Sequence, residues 1–431
     1  MKKTSPSIAF KNWAGNIQFT APLFAQPHTE TEIIELVKQH KNIRIASSAH
    51  SWSNHFSTQE LLLNLDYYQQ VIALDTAAQT ITVQSGIKLW QLNAFLDKHQ
   101  LALSNLGSID KQSIAGVMST GTHGTGKQFQ CLASQVLRFS IIAADGTKYI
   151  FTKDSDEFNA AIINLGTLGI ISEVTLQLCS AFNLKEHTYT SPFHTVIENL
   201  DQLLEQYHHF KIWWLPPSKN VVVFTYQRTQ DAVNDSRLRQ IFKDEIVSVI
   251  GYRTLVFIGN LVPSLRPRIN ALLTSQFNNP LHRIEKSFKV FRVPEPPKHR
   301  ETEWAFDLKD AKEILTNYQK LFSETSHTFN FIQEIRFTQA DNFWLSECYQ
   351  RNTIWIGAYN HYDSQWENIL HDFETFAQQH SGRPHWGKEF TVNRQYLEKQ
   401  YEKLPDFIQL KQRLDPEGKF SNELMQQLFG V

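Results

Sequence analysis

A glutamate and an arginine stand two residues apart, at Glu334 and Arg336, in the aromatic segment FIQEIRF at 331–337. The alternation in this segment predicts a β-strand, on which residues i and i+2 point to the same face. A charged pair on an otherwise apolar strand must reach solvent or line a polar pocket, because an unpaired buried charge is costly. The residues alone leave two interpretations open, an ion pair at a sheet surface or a charged pair inside a ligand pocket.

Three loops rich in small residues lie in the first 180 residues, at 46–53, 104–126 and 164–171. Such loops present backbone N–H groups, which can bind a pyrophosphate without a Rossmann helix. The glycines of GTHGTG at 121–126 have the wrong spacing for the Rossmann motif. His50 lies inside the first loop and either packs there or contacts the ligand that the loop holds. Together the three loops favour a bound dinucleotide cofactor.

The composition excludes several classes of function. The 431 residues predict two or three domains of a globular protein. Lys and Arg number 42 and Asp and Glu 43, so no excess positive charge favours nucleic-acid binding. Cys131, Cys179 and Cys348 are odd in number and far apart, which predicts neither a disulfide framework nor a thiolate metal site.

The sequence also bears on the cellular location, membrane association and metal binding of the protein. The segment MKKTSPSIAF at 1–10 has no long apolar stretch, so we expect no signal peptide and a reducing, cytoplasmic location. The most apolar segment, TLVFIGNLVPSL at 254–265, is well short of the roughly 20 residues of a membrane span. It predicts a buried or interfacial helix and no membrane association, with peripheral docking as the alternative. His208 and His209 have no partner at metal-ligand spacing, so we assign no metal site.

The elements that must position these residues have an α+β order. Thr29 and Glu32 form a capping box that predicts a helix ending near His40. Strands are predicted at 42–46, 61–65, 71–75 and 80–86, a helix at 88–100, a hairpin turning on Asp145-Gly146 at 139–152, and a strand within 164–178. After about residue 180 the predictions are mixed helix and strand at 186–212, loop and helix at 227–245, and a linker or an extended segment at 292–304.

Seven sequence blocks resemble one enzyme family. The loop SSAHSWS at 47–53 resembles the pyrophosphate-binding loop of vanillyl-alcohol-oxidase type FAD enzymes, usually Gly-x-Gly-His-Ser. The other blocks resemble the sugar-1,4-lactone oxidases, which include gulonolactone and arabinonolactone oxidases and, more distantly, alditol oxidases. These blocks are NWAGN at 12–16, LALSNLGSIDKQSIAGVMSTGTHGTG at 101–126, NLGTLGIISEVTLQL at 164–178, EIRFT at 334–338, RPHWGKEFT at 383–391 and LDPEGKFSN at 414–422. The resemblance runs from about residue 10 to about 425 in family order.

The resemblance implies an α+β, two-domain architecture. An FAD-binding domain of the vanillyl-alcohol-oxidase type is expected at 10–180, and an α+β cap domain for the substrate at 181–380. A C-terminal segment at 381–431 is expected to return to the FAD domain and the active site. The implied cofactor is FAD.

The resemblance also assigns cofactor residues. Those carried over are Ser47, Ser48, Ala49, His50, Ser51, Trp52, Gly107, Ser108, Ser113, Gly116, Ser119, Thr122, His123, Gly124, Ile171 and His385. In many members the histidine that matches His50 is bonded covalently to the 8α-methyl group of the flavin. Ser47 and Ala49 replace the usual glycines, and they would fit poorly if those positions need a positive φ.

The catalytic residues implied by the resemblance are Glu334, Arg336 and Lys388. Arg336 would bind sugar oxygens and stabilise the anionic reduced flavin. Glu334 would orient the reacting hydroxyl or accept its proton, and Lys388 would lie beside flavin and substrate. Gly107 leaves room for oxygen where dehydrogenase relatives carry a larger side chain.

These assignments predict a covalently flavinylated aldonolactone oxidase. It would oxidise the 2-hydroxyl of a gulono-, galactono- or arabinono-type 1,4-lactone and reduce O₂ to H₂O₂. The alternatives are an alditol oxidase acting on polyols, a lactone dehydrogenase that passes electrons to a cytochrome or quinone, and a binding protein without catalysis. The expected partners are a small sugar lactone or polyol and O₂, and the oligomeric state is left open.

Overall fold

The computed structural model of the chain describes residues 5–234, 251–293, 296–325, 327–361 and 365–430. The strands in these ranges are β1 Ile8–Lys11, β2 Gln18–Ala21, β3 Leu23–Ala25, β4 Ile43–Ile45, β5 Leu61–Leu63, β6 Val71–Asp75, β7 Thr80–Gln84, β8 Leu101–Ala102, β9 Val136–Ile142, β10 Lys148–Thr152, β11 Ile170–Gln177, β12 Cys179–Ser180, β13 Asn183–Pro192, β14 His209–Trp214, β15 Asn220–Thr229, β16 Leu281–Lys286, β17 Arg300–Asp307, β18 Gln333–Thr338, β19 Thr353–Asn360 and β20 Arg383–Pro384. The helices are α1 Glu30–Gln39, α2 Leu89–Lys98, α3 Ile114–Ser119, α4 Asp156–Ala161, α5 Phe193–Glu198, α6 Leu200–Gln206, α7 Tyr252–Leu261, α8 Arg266–Ser275, α9 Ser287–Phe291, α10 Ala311–Glu324, α11 Trp366–Gln379, α12 Arg394–Gln400, α13 Leu404–Leu414 and α14 Glu423–Phe429.

Two of the sheets formed by the first 180 residues have strand ends that carry small-residue loops. Strands β3, β5 and β4 form a parallel three-stranded sheet, and β10-β9-β11-β7-β6 form an antiparallel five-stranded sheet. The apolar face of α1, with Ile33 and Val37, packs into one core with Ile43 and Leu61 of the three-stranded sheet. The loop at 46–53 directly follows β4, and the loop at 164–171 runs into β11. Each of these two loops is therefore anchored at one end by a largely buried strand.

The later residues build an eight-stranded antiparallel sheet with the order β16-β13-β15-β14-β18-β19-β17-β20. Directly paired residues of antiparallel strands have side chains on the same face. The register pairs Trp213 with Glu334, Glu334 with Gly357, and Gly357 with Glu303. With the alternation along each strand, this rule brings a polar set to one face: Arg283, Glu186, Tyr226, Lys211, Trp213, Glu334, Arg336, Tyr359, Glu301 and Glu303.

The C-terminal residues connect this polar sheet face to the first loop. His385 and Glu389 donate their backbone N–H groups to the carbonyls of Glu303 and Glu301 at 2.9 and 3.0 Å. The Trp52 N–H in turn donates to the Gly387 carbonyl at 2.8 Å. The segment around 385–389 therefore lies between the edge of the large sheet and the loop at 46–53.

Most local predictions are confirmed, and so is the α+β class. Thr29 caps α1, its side chain accepting from the Glu32 N–H, and the helix ends at Gln39 before His40. Glu32 also accepts a hydrogen bond, from the His28 N–H at 2.8 Å. The segment at 331–337 contributes β18, on which Glu334 and Arg336 share a face.

Three local predictions need correction or fall outside the described residues. The predicted hairpin at 139–152 is confirmed, since β9 and β10 pair antiparallel, but its turn is longer than two residues: only Gly146 in it has a positive φ, and the Gly146 N–H donates to the Ala143 carbonyl. Of the two predictions for 292–304, a linker or an extended segment, the second holds from Arg300 onwards, where the chain is a strand that pairs with β19; residues 294 and 295 lie outside the described ranges. The predicted loop at 227–245 begins as part of β15, and its residues from 235 lie outside the described ranges.

The apolar segment at 254–265 forms most of α7 and exposes several large side chains. Phe257 and Leu261 are 61% and 67% exposed, whereas Val256 is buried. No helix among the described residues is both long and apolar enough to cross a bilayer.

Candidate active site

Two cavities meet where the small-residue loops approach the polar face of the eight-stranded sheet. The sheet-face cavity, of about 610 Å³, is lined by Lys211, Glu334 and Arg336 together with other residues of that face. The loop cavity, of about 120 Å³, is lined chiefly by residues of 44–51, 112–120 and 165–171. The residues that line both cavities are His50, Ser51, Gln112 and Thr120. A ligand that occupied both cavities would pass His50.

The cavities collect nearly all of the predicted cofactor residues. Those lining the loop cavity are Ser47, Ser48, Ala49, His50, Ser51, Ser113, Gly116, Ser119 and Ile171. Those lining the sheet-face cavity include Trp52, Gly107, Ser108, Thr122, His123 and His385. Gly124 lines neither, and a Cβ atom there would lie 2.4 Å from the Leu106 carbonyl oxygen. Gly124 thus permits close backbone packing behind the site.

The loop around His50 is held in shape by a lysine from α2's N-terminus. Lys88 Nζ donates to the Ser47 and Ser48 hydroxyls at 2.9 Å each and pairs with Asp66 at 2.6 Å. The expected strain falls on one of the two positions that lack glycine, because Ala49 has a φ of +50° and Ser47 has no positive φ. The side-chain bonds of the two serines fix the loop in a conformation that the alanine disfavours.

Replacing Ala49 with glycine is expected to stabilise the protein by about 0.5–1 kcal/mol. The left-handed conformation costs a non-glycine residue roughly 1–2 kcal/mol, and glycine removes this cost. Part of the gain in stability is offset because glycine loses more conformational entropy on folding than alanine does. Chemical denaturation of the holoenzyme measures the change. Ala78→Gly is the matched control, since Ala78 is exposed and has no positive φ. Equal destabilisation by both substitutions would show that Ala49 is unstrained.

The loop cavity fits the dinucleotide that the resemblance implies. Its walls are mainly small side chains, and at Gly116 an added Cβ atom would already lie 3.2 Å from Ser113 Oγ. Burial lowers the pKa of His55 to about 4, so its ring is neutral at physiological pH. His55 lines this cavity, and its buried Nδ1 atom has no hydrogen-bond partner among the residues described. The structure thus offers close backbone approach and an open polar atom, as FAD requires.

Glu334 lines the sheet-face cavity and is 4% exposed. Its Oε1 atom accepts from Lys211 Nζ at 3.0 Å and from Trp213 Nε1 at 2.8 Å. Its Oε2 atom accepts from the Arg336 guanidinium and from the Tyr359 hydroxyl, the latter at 3.3 Å. Both carboxylate oxygens are therefore engaged by donors from three neighbouring strands.

The charges in this cluster determine its protonation. Burial acts to raise the pKa of Glu334, but the positive charges of Arg336 and Lys211 outweigh burial and hold the pKa at about 2. Burial likewise acts to lower the pKa of Arg336, and the ion pair with Glu334 reverses this and raises it. Burial lowers the pKa of Lys211 despite the attraction of Glu334. At neutral pH Glu334 is ionised and Arg336 is charged.

Arg336 is fixed between the sheet and the second loop. Its Nη2 atom donates to Ser108 Oγ at 2.8 Å, and its Nη1 atom lies 3.4 Å from the His123 carbonyl oxygen. A rigid guanidinium in a buried cavity can bind ligand oxygens and stabilise negative charge that develops near it.

Lys388 lines the same cavity from the C-terminal segment. Its Nζ atom pairs with Glu301 Oε1 at 2.5 Å and lies 4.2 Å from the centre of the Trp52 ring. Glu301 comes from β17 and Trp52 from the first loop. The predicted third catalytic residue is therefore brought to the cavity, with its charge balanced by a buried carboxylate.

A second buried polar group lies beside this pair. His123 Nε2 is 3.5 Å from Glu303 Oε1, and the His123 ring stacks on Trp355 with centroids 3.7 Å apart. Burial acts to raise the pKa of Glu303, but His123 and Lys388 outweigh it and lower that pKa. Burial lowers the pKa of His385 well below its usual range, which leaves a neutral ring in the cavity wall. His385 thus contributes a polar ring without charge.

Sequence reasoning missed several residues of this cavity, namely Lys211, Tyr359, Glu301, Glu303, Glu186 and Arg283. The spacing rule that identified Glu334 and Arg336 also applies to Lys211-x-Trp213 and Glu301-x-Glu303. Nothing in the local pattern shows that these strands lie side by side, and the pairing registers supply that information.

Comparison with known proteins agrees with the geometry. Residues 21–151 match the family described as an FAD binding domain, and residues 174–428 match D-arabinono-1,4-lactone oxidase. The chain is 30% identical to L-gulonolactone oxidase of Bos taurus over 98% of both proteins. It is 28% identical to L-gulono-1,4-lactone dehydrogenase of Mycobacterium tuberculosis (strain H37Rv), over 98% of this chain and 100% of that protein.

A solved structure supports the fold. Cholesterol oxidase from B. sterolicum superimposes with a TM-score of 0.84 at 14% identity, covering 98% of this chain and 97% of that one. At this identity the likeness concerns the fold alone. The family matches, the lactone-oxidase relatives and a loop cavity that fits FAD define an FAD-dependent oxidoreductase that acts on a sugar lactone. The chain belongs to the FAD-dependent sugar-1,4-lactone oxidase family.

Proposed function

We propose that the protein oxidises the C2 hydroxyl of a gulono-, galactono- or arabinono-type 1,4-lactone, with O₂ as electron acceptor and H₂O₂ as product. The observation that carries the proposal is the buried Glu334–Arg336 pair, which lines the sheet-face cavity that meets the loop cavity at His50. Opposite charges at such a junction are suited to a neutral, oxygen-rich ligand.

FAD, when bound, supplies a ring that takes the hydride from the reacting carbon and passes the electrons on. The small-residue loops would hold the pyrophosphate through backbone N–H groups, with Ser113 and Gly116 among the cavity-lining residues. His50 would contact the ring and carry the covalent bond, because it lines both cavities.

Arg336 binds the substrate oxygens in this proposal and stabilises negative charge at the reaction centre. Glu334 holds Arg336 and Lys211 in place. With a pKa of about 2 and both oxygens already accepting hydrogen bonds, Glu334 is a weak proton acceptor at neutral pH. These contacts favour a role for Glu334 in positioning Arg336 and Lys211 over the expected roles of orienting the reacting hydroxyl or accepting its proton. Lys388, whose charge is balanced by Glu301, orients the substrate in the same cavity.

Substituting Gly107 with alanine is expected to slow flavin reoxidation by O₂ roughly tenfold, an added barrier of about 1.4 kcal/mol. An added Cβ atom would lie 3.2 Å from the His123 carbonyl oxygen and 3.5 Å from Thr122 Cγ2, so alanine fits with a small shift of its neighbours. Because Gly107 lines the sheet-face cavity, the added methyl group reduces the space for oxygen there. Stopped-flow reoxidation after anaerobic reduction measures the rate. Turnover with a dye acceptor is the control and should change little. Unchanged reoxidation would remove Gly107 from oxygen access.

A substrate panel tests the proposed function. Oxygen consumption is measured with L-gulono-, L-galactono- and D-arabinono-1,4-lactone and with xylitol and sorbitol. We expect turnover with at least one lactone at a kcat/KM well above that of either polyol. Turnover with polyols alone would contradict the proposal and establish an alditol oxidase.

A dehydrogenase remains the second candidate because one relative of full-length coverage is named L-gulono-1,4-lactone dehydrogenase. Rapid bleaching of the flavin by lactone, followed by slow reoxidation in air, would establish that activity.

We also propose that the FAD domain spans 10–180, the cap domain 181–380 and the returning C-terminal segment 381–431. We further propose that the protein is cytoplasmic, in keeping with its three free cysteines.

A further inference from the structure

Lys211 is a buried lysine with N–H donors left for a ligand. It is 7% exposed, lines the sheet-face cavity and donates to Glu334 Oε1 at 3.0 Å. An ammonium group has three N–H donors, and the structure shows no other hydrogen-bond acceptor for this one among the residues it describes. Its other contacts are with the rings of Trp213 and Phe224, at 4.8 and 5.0 Å. Buried donors without acceptors are costly, which favours an acceptor supplied by a ligand.

Lys211 and Arg336 stand on either side of one carboxylate. Lys211 binds Oε1 of Glu334, and Arg336 binds Oε2. They come from the adjacent strands β14 and β18, whose backbones are about 4.8 Å apart in a sheet. Two cationic donors held this closely can bind two neighbouring oxygens of the same ligand.

The substrate class of the proposed function carries two such oxygens. The C2 hydroxyl that is oxidised and the C1 carbonyl lie on bonded carbons, so their oxygens are about 3 Å apart at bond lengths of about 1.2–1.5 Å. With Arg336 at the hydroxyl, the donor on the neighbouring strand falls beside the carbonyl oxygen. We propose that Lys211 donates to the C1 carbonyl oxygen of the lactone and thereby gives the site its preference for lactones over polyols. This inference rests on the proposed function.

The chemistry of the two ligand classes explains the preference. A lactone carbonyl oxygen only accepts hydrogen bonds, and the ammonium group of Lys211 only donates them. The enediol product ionises at its C3 hydroxyl, and the negative charge is then shared with the C1 oxygen through the C2–C3 double bond, where a cation in a buried site stabilises it. A polyol carries a hydroxyl at this position, whose oxygen can also accept a hydrogen bond but shares no charge with the product, so it gains only the first of these interactions.

Two ligands that differ in the carbonyl separate recognition from a merely structural role. 2-Deoxy-D-ribono-1,4-lactone keeps the carbonyl and lacks the reacting hydroxyl, and 1,4-anhydro-D-ribitol has the ring without the carbonyl. Each is titrated into the oxidised holoenzyme, and its Kd is read from the shift of the flavin absorbance. Lys211→Met is compared with Lys185→Met, an exposed lysine on β13, and with Lys211→Arg, which keeps the charge.

We expect Lys211→Met to raise the Kd of the deoxylactone at least tenfold, while the Kd of the anhydroalditol changes less than threefold. A tenfold change in Kd corresponds to about 1.4 kcal/mol. The ratio of kcat/KM for gulonolactone to that for xylitol should fall in Lys211→Met, remain near wild type in Lys185→Met and be partly restored in Lys211→Arg. An equal rise in the Kd of both ligands would overturn the inference and show that Lys211 only positions Glu334. Where Lys211→Met binds no flavin, Lys211→Gln takes its place in the same comparison. A wild-type enzyme that oxidises no lactone would instead refute the proposed function.

Discussion

Replacing Arg336 with alanine is expected to lower kcat by about 10²–10³-fold while the protein remains folded and yellow. Removing one buried, preorganised donor at a reaction centre typically has an effect of this size. Arg336 is fixed by Glu334 and Ser108 and lines the cavity, so the substitution removes a positioned cationic donor. Glu334 keeps the Lys211 cation after the substitution, so the remaining carboxylate is still paired.

Steady-state kinetics with the best lactone measure the loss of kcat, and the 450 nm absorbance per protein shows that FAD is retained. Arg228→Ala is the matched control, because Arg228 is an exposed arginine on β15 that packs over Phe182. Turnover of the Arg336 variant within a few-fold of wild type would exclude Arg336 from the reaction.

Substituting His50 with alanine is expected to change flavin attachment from complete to absent. His50 is half-buried, lines both cavities, and its ring lies 5.7 Å from the Trp13 ring at an interplanar angle of 27°. A covalent bond keeps the flavin with the denatured protein, whereas a flavin held only by the loops is released. Acid precipitation followed by absorbance of pellet and supernatant measures the distribution directly.

In the wild-type protein we expect the yellow colour in the pellet, and in His50→Ala we expect all of it in the supernatant. The native variant should still bind FAD, because the loop-cavity residues other than His50 are unchanged. His99→Ala, an exposed histidine after α2, should behave like wild type. Wild-type flavin that appears in the supernatant would show that His50 forms no such bond.

Local rules were sufficient for the parts of the site that lie within one element. The Glu334–Arg336 pair follows from the two-residue period of a strand, and the Thr29 cap from the chemistry of helix termini. The His50 loop could be predicted as a ligand loop from its small residues. The resemblance of the seven sequence blocks to the lactone oxidases then identified the expected ligand as FAD.

The rest of the site depends on contacts between distant parts of the chain. Lys211 and Glu301 flank the Glu334 region only because β14 and β17 are placed in one sheet with β18 and β19. The residues at 300–304 had suggested a linker or an extended segment because prolines precede them, and pairing with β19 makes them a strand. The lysine that holds the Ser47 and Ser48 hydroxyls is about forty positions away in sequence, and no local pattern connects Lys88 to that loop.

Anaerobic reduction of the bound flavin tests directly whether the protein oxidises a sugar lactone. The purified protein is mixed under argon with L-gulono-, L-galactono- or D-arabinono-1,4-lactone while the absorbance near 450 nm is recorded. We expect bleaching by at least one lactone, abolished or strongly slowed in Arg336→Ala and retained in Arg228→Ala. A flavin that stays oxidised with every lactone, in a protein that dithionite readily reduces, would contradict this expectation.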